Sequence, residues 1–156
     1  MGFSPGGLAL ALAVLAPSLL LLALPPRDGL PSARVPRALT MLERAGQAGC
    51  LLAAASTARF GGIDAWLALA LAALVGYYGL WVRYVVGGRK GALLYAPVGP
   101  IPVPMAILPA LVFGLAAVSG RSWWLAGSSA VLAVGHISSS LLVARAARSP
   151  APGADA

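Results

Sequence analysis

Residues 37–58 read RALTMLERAGQAGCLLAAASTA, and whether this stretch crosses a bilayer decides the fold. It is the most polar of five candidate spans, because Arg37, Glu43, Arg44 and Gln47 interrupt a run made largely of Ala, Gly and Leu. The decision comes from the charges around it. If it spans, one side of the membrane holds Arg27, Arg34, Arg37, Arg44, Arg83, Arg89, Lys90, Arg145 and Arg148, and the other side holds only Arg59 and Arg121. If it does not span, the split is five against six. Insertion keeps Lys and Arg in the cytoplasm. The nine-to-two partition therefore makes 37–58 a span, with the N-terminus outside and the C-terminus cytoplasmic.

Outward from this stretch lie four more apolar segments, at about 6–24, 65–86, 104–119 and 123–144. All are taken as long enough to cross a bilayer. The expected fold class is all-α: a polytopic transmembrane bundle of five spans, forming a single domain over residues 1–148. A Pro/Ala/Gly-rich tail at 149–156 is expected to be disordered. No basic residue precedes the first apolar run, which is longer than the 7–15 residues of a typical signal-peptide core. It is expected to be a retained helix and not a cleaved leader.

Composition agrees with lipid as the solvent. Of 156 residues, 60% are hydrophobic and 10% charged, and the mean hydropathy is +0.88. Soluble domains carry about 25% charged residues. The net charge of +7 does not point to nucleic acid, because the Arg residues sit between apolar segments and not on one soluble face. The expected partner is the lipid bilayer, with anionic lipid head groups as candidate partners of the basic side. The expected location is the cytoplasmic membrane of a bacterium, as a multi-pass protein. One cysteine, Cys50, and one histidine, His136, supply neither a disulfide nor the four ligands of a structural zinc site. Cys50 reads as a small packing residue. No cofactor, metal or catalytic residue is assigned, since there is no paired carboxylate, nucleophile elbow or phosphate loop.

Polar residues within spans are costly and usually face protein or a cavity. Glu43 and Gln47 are four apart and share a helix face with Thr40. Ala45, Gly49 and Ala53 form a small-residue stripe of the kind that lets helices pack closely. The second helix is therefore expected at the centre of the bundle. At 1.5 Å per residue, Glu43 lies about 9 Å inside its helix and His136 roughly 13 Å before Arg145. Ser139 and Ser140 fall near the His136 face. Glu43, Gln47, Arg83, His136 and Ser140 are the candidate binding cluster, with Glu43–Arg83 as the expected direct pair.

The function this cluster suggests is a small cytoplasm-facing pocket for lipid or metabolite binding or transport. One alternative is a membrane-embedded enzyme acting on lipid through Glu43 or His136 as acid or base. Another is a non-catalytic interaction or assembly subunit. The structural reading is that Glu43, Gln47 and His136 satisfy one another while Arg44 and Arg83 snorkel to phosphates.

Smaller signals place the connections. Gly61-Gly62 reads as a tight turn before Asp64, a candidate N-cap. Trp66, Trp123 and Trp124 are expected at the outer interface, and Tyr84 and Tyr95 beside the cytoplasmic loop. Residues 97–104, PVGPIPVP, cannot be helical and are expected to form a polyproline-like approach to a helix starting at Pro104. Pro17 and Pro109 are expected to kink their helices.

Tyr78, Trp81, Arg83-Tyr84, Gly88-Arg89, Leu94-Tyr95, the run from Ile101 to Ala106, Pro109, and Gly135-His136-Ile137 with Ser140 carry a resemblance. Over about residues 77–140 the chain resembles a group of small polytopic bacterial membrane proteins with no assigned activity. The resemblance implies only that Arg83, Arg89, the Pro-rich entry and the Gly-His-Ile turn belong together.

Overall fold

A computed structural model describes residues 2–31 and 33–148. The five α-helices are α1 (Pro5–Ala23), α2 (Arg37–Thr57), α3 (Ala65–Val86), α4 (Pro104–Ser119) and α5 (Trp123–Ala146), with a 3₁₀ turn at Gly91–Leu94. There is no strand among the described residues, and the tail at 149–156 lies outside them.

Side-chain caps mark where three helices start. Ser4 Oγ accepts from the Gly7 amide at 3.1 Å, Asp64 Oδ1 from the Leu67 amide at 2.8 Å, and Ser122 Oγ from the Leu125 amide at 3.1 Å. Each satisfies an amide that the first helical turn leaves unpaired. The Leu67 amide also holds the Asp64 carboxyl below the usual carboxylate range. At this end the Ser4 amide donates to Ala55 O (2.7 Å) and the Arg59 amide to Gly120 O (3.3 Å). At the other end the Arg27 amide donates to Arg89 O (3.0 Å) and the Gly91 amide to Asp28 Oδ1 (2.6 Å). The helices thus alternate in direction. The nine basic residues fall toward the second end, and Arg59 and Arg121 lie at the first.

Three helices, α1, α3 and α5, are long and apolar enough to cross a membrane. Helix α4 is apolar but has only 16 residues, and α2 carries Arg37, Glu43 and Arg44. Large apolar side chains are nevertheless exposed on all five, including Leu22, Met41, Leu52, Val75, Val118 and Val134. Such a surface would be a liability in water and fits a membrane location.

Helix α2 packs mainly on α5 and on α1, while α4 lies between α3 and α5. It is therefore not the central helix, contrary to the sequence expectation. The packing stripe holds in part: Ala53 is buried and Gly49 lies against Ser128 of α5, as expected, but Ala45 does not pack. Ala45 is exposed, and the buried residues of α2 are Gly46, Cys50, Ala53 and Ala54. The reason is the close approach of two backbones. A Cβ on Gly46 would fall on the Leu132 backbone, and one on Gly135 on the Glu43 backbone. Three residues forward on α2 match three residues back on α5, so this antiparallel register is fixed where glycine permits it.

Helix α1 meets α3 through tyrosine hydroxyls. Tyr84 Oη donates to Leu24 O at 2.9 Å, and Tyr77 Oη lies 3.3 Å from Ser18 Oγ. Tyr84 lies beside the loop that follows α3, as expected, and is fully buried against its neighbours. Tyr78 Oη donates to Ala13 O at 2.9 Å. That carbonyl is the one whose helical donor Pro17 removes. Tyr78→Phe should therefore cost about 0.5–1.5 kcal/mol, within the range of interhelical hydrogen bonds in membranes. In a Pro17→Ala background the cost should shrink toward zero, because residue 17 then supplies the amide. Equal costs in both backgrounds, measured by denaturant titration in mixed micelles, would refute this account.

The Pro-rich segment differs from expectation. Val98 and Ile101 exchange both backbone hydrogen bonds, at 3.0 and 3.1 Å, and Gly99 has φ +56°. Gly99-Pro100 thus makes a two-residue reverse turn and not a polyproline-like run. Glycine permits the positive φ, proline fixes the next one, and the amides of Val98 and Ile101 remain free to pair.

Candidate functional site

The segregation of small residues at the α2–α5 crossing brings the polar residues together. Because Gly135 abuts the backbone of Glu43, the next residue, His136, reaches the Glu43 carboxylate. His136 Nδ1 lies 2.8 Å from Glu43 Oε1, and Ser139 Oγ donates to Glu43 Oε2 at 3.0 Å. With Glu43 ionised, Nδ1 carries the proton that it donates. The two side chains keep 26% and 25% of their surface exposed, so the pair is partly, not fully, dehydrated.

The pair forms one wall of a cavity of about 300 Å³. The volume is at the lower end of ligand pockets. Ser139, Ser140 and Thr40 continue the polar wall. Tyr77 and Trp81 of α3, with Tyr95 just after the 3₁₀ turn, form the aromatic side, and Leu94 at the end of that turn adjoins it. Tyr77 and Trp81 pack edge to face with ring centroids 6.3 Å apart, and Trp81 and Tyr84 at 5.7 Å. The Trp81 indole N–H meets no acceptor in hydrogen-bonding geometry among the described residues. Val35, Leu94 and Tyr95, from the connecting segments, place the cavity toward the basic end. Burial, and then the nearby Glu43 charge, push the Tyr95 phenol up from its ordinary range, so it remains protonated.

Of the residues chosen from sequence, Glu43, His136 and Ser140 line this cavity, and Gln47 and Arg83 do not. Gln47 is exposed. Four residues advance a helix by about 40° beyond a full turn, and that rotation carries Gln47 off the face that Gly46 and Cys50 press against α5. Arg83 is exposed near the end of α3. The ion pair found among the described residues is Glu43–His136 and not the expected Glu43–Arg83. Two residues from the aromatic wall, Tyr77 and Trp81, were missed. Their signal was present: Tyr77, Trp81 and Tyr84 follow at four and three residues, one face of a helix.

A wider open groove lies at the opposite end, among Arg59, Asp64, Arg121, Trp123 and Trp124. Among the described residues no group of three potential metal-ligating side chains occurs. Comparison with protein-family models, curated proteins and solved structures gives no match.

Proposed function

We propose that the protein is a multi-pass component of the cytoplasmic membrane, with five spans and the basic end in the cytoplasm, and that the cavity at Glu43–His136 binds a small ligand. The membrane part is supported by apolar side chains exposed on all five helices and by the collection of nine basic residues toward one end. The observation that carries the binding reading is the cavity itself. It joins a hydrogen-bonded carboxylate–imidazole pair to an aromatic wall, about 300 Å³ in volume and near the basic end. Ligand sites of this size pair a mostly apolar lining with a few convergent polar groups. The lipid-enzyme reading is weaker, because one carboxylate engaged by His136 and Ser139 leaves no second acid beside it among the described residues.

Ala106 is buried and lines the cavity, so Ala106→Phe fills it. Native mass spectrometry of the purified protein should detect a bound small molecule that the variant loses. Equal retention by both would count against the binding reading. Reporters after Ala147 should read cytoplasmic, and those at Gly61 and Gly120 external; the reverse pattern would remove the proposed orientation.

A further inference from the structure

We propose that the ligand is a small organic cation and that it displaces a proton from the Glu43–His136 pair. The proposal rests on the reading of the cavity as a ligand site and names the chemistry that site selects. Among the described residues, Glu43 is the sole carboxylate lining the cavity and His136 the sole basic group; no Arg or Lys lines it. With His136 protonated the pair is neutral, and with His136 neutral the cavity carries one negative charge. An anionic ligand would add to that charge with no Arg or Lys in the lining to receive it. A cation matches it.

The aromatic wall points the same way. Tyr77, Trp81 and Tyr95 line the same cavity as a carboxylate, the surroundings that attract an alkylammonium head group through ring quadrupoles and charge together. Arg83, whose guanidinium would have repelled a cation, is outside the cavity.

Proton displacement follows from one carboxylate serving two positive charges. When a cation settles on Glu43, protonated His136 becomes a like-charged neighbour in a partly dehydrated space. His136 then gives its proton to water, and the total charge of the cavity is unchanged: one cation in, one proton out. The groups facing the pair come from every element packed around it. Helix α1 contributes Ser18, α3 contributes Tyr77 and Trp81, and the loop contributes Tyr95. Helix α4 contributes Met105 and Ala106, and α5 adds Ser139 and Ser140. On α2, Arg44 is exposed and does not line the cavity, and its positive charge acts on Glu43 from outside.

The test uses full-length protein in lipid nanodiscs, with empty discs as blank. Three probes of similar size are compared by calorimetry: benzyltrimethylammonium, its neutral carbon isostere neopentylbenzene, and benzenesulfonate. Repeating the cation titration in buffers of different ionisation enthalpy counts protons. The expected result is preferential binding of the cation. About one proton should be released per cation at acid pH, where the apparent Kd should rise about tenfold per pH unit of acidification, as one-proton linkage requires. Glu43→Gln should weaken cation binding at least tenfold. At pH values where Glu43 stays ionised, His136→Asn, which keeps a donor beside it, should abolish both proton release and the pH dependence, an effect that a packing role would not produce. Monodisperse elution and an unchanged helical spectrum identify folded variants. If neopentylbenzene or benzenesulfonate binds as well as the cation and Ala106→Phe removes that binding, the cation inference fails while the cavity reading stands. If no probe binds above the blank and no native ligand is retained, both fail.

Discussion

Gly135→Leu should destabilise the protein by about 3 kcal/mol, at the upper end of what overpacking costs. The substituted side chain would not meet a flexible neighbour that could turn away. It would meet the backbone of Glu43, so α2 and α5 would have to separate along their whole contact. The same displacement would pull Glu43 away from His136 and Ser139, and ligand binding should be lost with stability. Gly46→Leu should behave alike, since its Cβ would fall on the Leu132 backbone. The control lies on the same helix as Gly135: Gly127 is exposed, and a Cβ there would have no neighbour within 4 Å. Gly127→Leu should therefore change stability by no more than about 0.5 kcal/mol, as for other surface sites. Denaturant titration of all three variants in mixed micelles decides the matter. Similar midpoints for Gly135→Leu and Gly127→Leu would mean that the close crossing does not hold the bundle together.

How far the sequence could be read follows from which signals are local. Helix limits are local: Ser4, Asp64 and Ser122 announce starts by capping, and Pro104 by its fixed φ. Helix neighbours are not. Ala45-Gly49-Ala53 and Gly46-Cys50-Ala54 are both small-residue stripes, one residue apart, and only the partner decides between them. The partner signal was Gly135, which fits against the Glu43 backbone from a distant part of the chain. Depth along a helix is local too: a fixed rise per residue puts Glu43 and His136 in the same half of the bundle. The position of Arg83 relative to them is not fixed this way, because depth says nothing of azimuth. Arg83 follows Trp81 by two residues, which turns it to the far side of α3 from the aromatic face. The turn at Gly99-Pro100 was obscured by the prolines around it, although Gly before Pro between Val98 and Ile101 is itself a turn signal.

His136→Ala should cost about 2 kcal/mol, and its coupling to Glu43 should be large. Removing one partner of a fully buried ion pair costs about 3–5 kcal/mol, because the other charge is left without compensation. Here each side chain retains about a quarter of its exposure. Water can therefore reach the orphaned carboxylate, and Ser139 still donates to its second oxygen at 3.0 Å. Both effects place the expected cost below the fully buried range. Glu43→Ala should cost less than His136→Ala, since a lone imidazole can become neutral while a lone carboxylate must keep its charge or take up a proton. The double variant should cost less than the two singles together, by about 1–2 kcal/mol, the size of coupling between residues in one hydrogen-bonded network. Stability measured in mixed micelles gives the cycle directly. Additive costs would show that the 2.8 Å contact between His136 and Glu43 contributes nothing of its own, and the pair would then lose its place at the head of the cavity.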